Sequence, residues 1–73
     1  MDLQSAVAIA KQHVGDLLAA EAPRNIRLEE FLYDDHLGIW TLTIGFALAD
    51  VARGRKIVRV SEANRSVLSI RDR

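Results

Sequence analysis

Trp40-Thr41-Leu42-Thr43-Ile44-Gly45-Phe46 alternates large apolar residues with small or polar ones over seven positions. An alternation of two is the side-chain repeat of a strand, so the indole, leucyl, isoleucyl and phenyl groups all leave the backbone on one face. Such a face needs a covering layer, and the sequence provides one upstream. Between Leu3 and Leu18, the residues Leu3, Val7, Ala10, Val14 and Leu17 fall along one line of a helix, with Ala6 and Leu18 widening the stripe. Asp2 is suited to the N-cap, because its carboxylate accepts from a free amide of the first turn and meets the positive end of the helix dipole. Gly15 weakens this helix by about 1 kcal/mol relative to alanine. Pro23 sets its latest end, since proline lacks the amide and disfavours helical geometry in the residue before it.

Three more strands flank the Trp40 row. Asn25 to Tyr33 places Ile26, Leu28 and Leu32 on one face and Arg27, Glu29, Phe31 and Tyr33 on the other. Glu30 breaks the apolar row. Either it lies at a frayed sheet edge or a bulge near it exchanges the two faces, since one extra residue does so. Asp34-Asp35-His36-Leu37-Gly38 is a hairpin connector, and the second strand runs from Ile39 to Phe46. Asp50 to Gly54 turns into a third strand, Arg55 to Val60, with Val58 and Val60 inward. Ser61 to Arg65 turns again, with Asn64 expected in the left-handed region. Ser66 to Arg71 closes the chain as a fourth strand bearing Leu68 and Ile70. The predicted fold is α+β: residues 1–73 as one small domain, with an N-terminal helix packed on an antiparallel meander of three to four strands.

A chain of 73 residues buries only roughly 60% of the surface its unfolded form exposes, so its core has little to spare. At 49% hydrophobic residues with a single proline it is too apolar for disorder. The absence of cysteine excludes a disulfide framework and a thiolate zinc site and fits a reducing cytoplasm. Leu37 to Ala49, the longest nearly uncharged apolar run, is too short to span a bilayer. The N-terminus lacks the basic region of a signal peptide. These features lead to the expectation of a cytoplasmic protein without membrane contact. Net charge is zero, yet residues 1–36 carry three basic and seven acidic side chains and residues 37–73 the reverse. The two halves are therefore able to satisfy one another across strands, or to present a basic patch to a partner.

The N-terminal Ala6-Val7-Ala8-Ile9-Ala10, the strand opening Trp40-Thr41-Leu42-Thr43 and the closing hairpin from Lys56-Ile57-Val58-Arg59-Val60 to Ser66-Val67-Leu68-Ser69-Ile70 resemble two groups of small bacterial domains. One is the PepSY-type domain; the other is the YrhB-like family of toxin-immunity proteins. Ser61, Glu62 and Arg65 depart from the valine-aspartate pair and turn glycine of the PepSY hairpin. The resemblance implies an inhibitory or accessory protein-binding role, and it brings no catalytic motif and no cofactor.

Read residue by residue, the chain lacks the parts of an enzyme. Asp34, Asp35 and His36 sit together in a turn, where adjacent residues rarely converge on one ion, and no further histidine or cysteine lies near to complete a metal set. His13 falls at the boundary of the helical stripe with no nucleophile beside it. Ser61, Ser66 and Ser69 lack a Gly-x-Ser-x-Gly elbow. Gly38, Gly45 and Gly54 stand singly and open no helix, so they do not cradle phosphate. Trp40 belongs to the core with its row-mates.

The sheet's other face is the candidate interface. If Trp40, Leu42, Val58, Val60, Leu68 and Ile70 meet the helix, then Phe31, Tyr33, Ile39, Ile57 and Val67 face away beside Thr41 and Arg59. One helix covers one face, and monomers seldom leave a large apolar patch bare. The expectation is a non-enzymatic module that binds a toxin, an enzyme or a larger complex, or a second copy, through this face or through the Ser66–Arg71 edge. The competing expectation is a nucleic-acid binder using Arg53, Arg55, Lys56, Arg59, Arg65, Arg71 and Arg73. Against it, those strands have no interleaved aromatic residues for base stacking.

Overall fold

Asp2 Oδ1 accepts the Ser5 amide at 2.8 Å and starts helix α1, Leu3–Leu17. The side chain satisfies one of the amides that the first turn leaves free. In the computed structural model, which describes residues 1–73, a short 3-10 turn (Ala19–Glu21) follows α1 and ends at Ala22 in the left-handed region (φ 49°) immediately before Pro23. The rest of the chain forms β1 (Arg24–Asp34), β2 (Ile39–Ala47), β3 (Gly54–Ser61) and β4 (Ser66–Asp72). They make one antiparallel sheet in the order β1-β2-β3-β4. This is the predicted α+β meander, with element ends within one or two residues of those read from the sequence.

The core lies between α1 and the middle of the sheet. Ala6, Ala10 and Val14 are fully buried against Leu42, Ile44, Val58 and Val60, with Trp40 and Phe46 closing the two ends of the β2 row. The helix presents two alanines and a valine to the sheet, which lets the two backbones approach closely. Leu17, placed in the stripe by its angle, is exposed at the last residue of α1, and Leu18 packs against the core instead.

Two of the three hairpin loops, β1–β2 and β3–β4, have four residues and close on the same plan. In the β1–β2 loop, Asp34 Oδ1 accepts the His36 and Leu37 amides at 2.9 and 3.1 Å, and Gly38 takes φ 64°. In the β3–β4 loop, Ser61 Oγ accepts the Asn64 amide at 3.2 Å. The left-handed residue there is Arg65 (φ 51°), not Asn64. The loop closes between Ser61 and Ser66, and it is the last loop residue, not the one before it, that must reverse the chain.

Two register shifts move apolar residues to the face opposite the one expected. In β1, Leu28 pairs with Ile44 but Glu30 pairs with Thr43, so Glu29 is an extra residue and the faces exchange there. Phe31 and Tyr33 then stand opposite Leu42 and Trp40, on the helix side, and Leu32 opposite Thr41, on the reverse side. Of the two alternatives raised by Glu30, the bulge is the one adopted. In β4, Arg59 pairs with Ser69 and Val60 with Val67, which inserts Leu68. Val67 packs toward the core, and Leu68, expected inward, is half exposed.

Two stability measurements follow. A Cβ built on Gly15 meets only Ile26 Cδ1, at an ordinary 3.7 Å, so Gly15→Ala raises unfolding free energy by about 1 kcal/mol in a urea titration. Trp40→Ala empties the end of the core row and lowers it by about 3–5 kcal/mol; an unchanged midpoint would contradict the burial of the indole.

Candidate functional site

The reverse face of the sheet is less apolar than the sequence suggested. Of the seven expected contact residues, Ile39, Thr41, Ile57 and Arg59 lie on it, while Phe31, Tyr33 and Val67 lie on the helix side. The four that remain are half-buried, and Thr43 and Ser61 between them are buried. Charged side chains fold across this face. Glu29 lies over Gly45, where a Cβ would come within 2.5 Å of its carboxylate, and is held between Arg27 (2.9 Å) and Arg55 (2.7 Å). Glu30 of one edge strand is paired with Arg73 beyond the other. These side chains cover part of the face, and Phe31, Tyr33 and Val67, expected on it, are carried to the helix side by the register shifts in β1 and β4.

The exposed apolar side chains gather elsewhere. Seven large apolar residues are exposed, and four of them, Phe31, Leu32, Tyr33 and Leu37, lie at the C-terminal end of β1 and in the loop after it. Phe31 (55% exposed) and Tyr33 (39%) are on the helix side, and Leu32 (67%) is on the reverse side, so the strand end is apolar on both faces. The Tyr33 ring rests against the Trp40 indole with centroids 4.6 Å apart. Further back along β1, an open apolar groove of about 390 Å³ runs between the strand and α1, walled by Leu3, Val7, Ala8, Lys11 and Leu28. Because α1 sits over the middle of the sheet, it does not reach the outer side of β1. Sequence reading missed the outward placement of Leu32 and this groove; the signal for Leu32 was Glu30, whose intrusion into an apolar row marked the bulge.

At the neighbouring corner, Glu62 ties three segments together. Its carboxylate accepts from the chain's terminal ammonium at 2.6 Å and from Trp40 Nε1 at 2.7 Å, and its amide donates to the Gly38 carbonyl at 2.8 Å. The ammonium first and the indole second hold the Glu62 carboxyl below its ordinary value of 4.5.

The basic cluster is partly neutralised. Arg55 is paired with Glu29, Lys56 with Asp72 and Arg73 with Glu30, and the Arg55 and Arg73 pairs join the basic half of the chain to the acidic half. Arg53 and Lys56 border an open depression of about 520 Å³ floored by Phe46, Leu48 and Val51, with Asp72 and Glu21 also on its rim. In the β1–β2 loop, the Asp34 carboxylate is engaged by backbone amides. His13 is exposed, with Nδ1 3.0 Å from the Ile9 carbonyl. No group of three or more His, Cys, Asp or Glu side chains converges. No helix is long and apolar enough to cross a membrane.

The chain matches no protein-family model, no curated protein and no solved structure.

The Glu62 junction sets a pH dependence. Its folded-state value is depressed, so the carboxylate stabilises the fold fully above the ordinary carboxylate range and loses that effect as pH falls through it. Glu62→Gln destabilises at neutral pH, and the gap between its urea midpoint and that of the parent closes as pH falls below the ordinary carboxylate range. A gap that stays constant with pH would remove the ionic part of the junction.

Proposed function

We propose that this chain is a non-enzymatic protein-binding module that holds its partner at the outer flank of β1. It is of the immunity, inhibitor or accessory-subunit kind implied by its likeness to PepSY-type and YrhB-like domains. The partner is a toxin, an enzyme or a larger complex, and the encounter takes place in the cytoplasm. The observation that supports this reading is the concentration of Phe31, Leu32, Tyr33 and Leu37 at one strand end, beside an apolar groove. Apolar residues scattered singly over a surface need no explanation, whereas a group gathered at one strand end that includes aromatic rings is suited to the core of a contact. The acidic residues beside it, Asp34 and Asp35, steer the approach of a basic surface. Nucleic-acid binding is the weaker alternative, because three of the seven basic residues proposed for it are engaged in ion pairs.

The reading is tested with the paired substitution Phe31→Asp and Leu32→Asp, both at exposed positions where the fold tolerates charge. Proteins retained by the immobilised parent from an extract of its host should be lost by about tenfold or more. Leu17→Asp, at an exposed apolar site on α1, should retain them. Equal retention by the paired variant and the parent would defeat the proposal. A salt-sensitive mobility shift of a labelled oligonucleotide at micromolar protein would favour the alternative.

A further inference from the structure

Building on the proposal that the β1 flank binds protein, we propose that its occupant is an extended polypeptide segment. It adds to β1 as a fifth strand and carries a basic residue at each end of an apolar triplet. Only part of the β1 edge is able to accept a strand. β1 is an edge, so its outer backbone groups have no strand partner. Its first half is interrupted twice, between Arg24 and Arg27 and between Leu28 and Glu30, and Asn25 there has φ 55°. Bulges of this kind turn an edge away from further pairing. From Glu30 to Asp34 the pairing with β2 is unbroken, which leaves a regular edge of five residues. The other edge, β4, ends in the charged run Arg71-Asp72-Arg73 and carries its own irregularity at Leu68.

The side chains of this stretch define what lies beside it. Glu30, Leu32 and Asp34 stand opposite Thr43, Thr41 and Ile39 and share the reverse face; Phe31 and Tyr33 share the helix face. A strand added at the usual spacing of about 4.8 Å would set two apolar residues against Phe31 and Tyr33, on the side where the groove of Leu3, Val7 and Leu28 lies open. On the reverse face it would set an apolar residue against Leu32 and a residue against each of Glu30 and Asp34. Those two carboxylates have capacity left. Glu30 meets Arg73 through one oxygen, and Asp34 takes its two amides through Oδ1. Opposite-charge pairs directly across strands stabilise and like charges destabilise, so the fitting residues at both ends are lysine or arginine. A second copy of this chain fits poorly, since pairing the stretch with itself sets Glu30 of each chain opposite Asp34 of the other.

The test uses the whole chain and two capped peptides. One is Ser-Gly-Lys-Ile-Val-Ile-Lys-Gly-Ser, and the other has glutamate in place of both lysines. In a titration followed by backbone amide NMR, the lysine peptide should move the amides of Glu30 to Asp34. It should bind about tenfold more tightly than the glutamate peptide. The double variant Glu30→Gln with Asp34→Asn, which keeps the turn acceptor, should erase that difference while still binding. Leu32→Asp should weaken both peptides. Equal binding of the two peptides, shifts that fall away from β1, or no binding at all would each overturn strand addition, as would a dimer in sedimentation that Leu32→Asp dissociates. Loss of retained partners by the Phe31 and Leu32 variant, with no peptide binding, would leave the protein-binding reading standing and remove only this form of it.

Discussion

The contact of Ala6, Ala10 and Val14 with Leu42, Ile44, Val58 and Val60 decides where everything else lies. Small residues on the helix permit close approach, and the most apolar rows of the sheet are those of β2 and β3, so burial is greatest when α1 lies over the sheet's middle. A 15-residue helix is shorter than the eleven-residue β1 when both are laid along one axis. Part of β1 is therefore left without a cover. The open groove and the exposed Phe31 and Tyr33 are the outcome of that geometry, and need no separate cause.

The second constraint is the extra residue at Glu29. Without it, Leu32 would continue the helix-side row of Leu28, and Phe31 would look away from the helix. With it, Glu29 is released to lie on Gly45 between two arginines, and Tyr33 is brought onto the Trp40 ring. One backbone irregularity thus builds the charged cover of the reverse face and the apolar flank of the helix side together. The Arg55 and Arg73 pairs with Glu29 and Glu30 likewise account for how a neutral chain divides into an acidic and a basic half: the halves meet across the sheet.

The architecture was legible because its signals are periodic and local. The alternation from Trp40 to Phe46, the stripe on α1, the Asp2 cap and the two polar loops each point to their element without reference to the others. Face assignment was legible only where the alternation is unbroken, as in β2 and β3. In β1 and β4, one inserted residue reverses every side chain beyond it, and the sequence marks such an insertion only indirectly, as an acid in an apolar row at Glu30 and as adjacent apolar residues at Val67-Leu68. The groove was not legible at all, because it arises from where the helix sits across the sheet, which periodicity does not encode.

The meander has a consequence for how the chain reaches its fold. Each hairpin joins neighbours in sequence through a four-residue loop or a short connection, so β1 to β4 zip together with little loop-closure cost. The helix is different. Val58 and Val60, which share the core with Ala6 and Ala10, are remote from them in sequence, so the chain entropy of that long closure is offset only by burying the core as a whole. Such a layout, with helix and sheet sharing one core, favours an all-or-none transition.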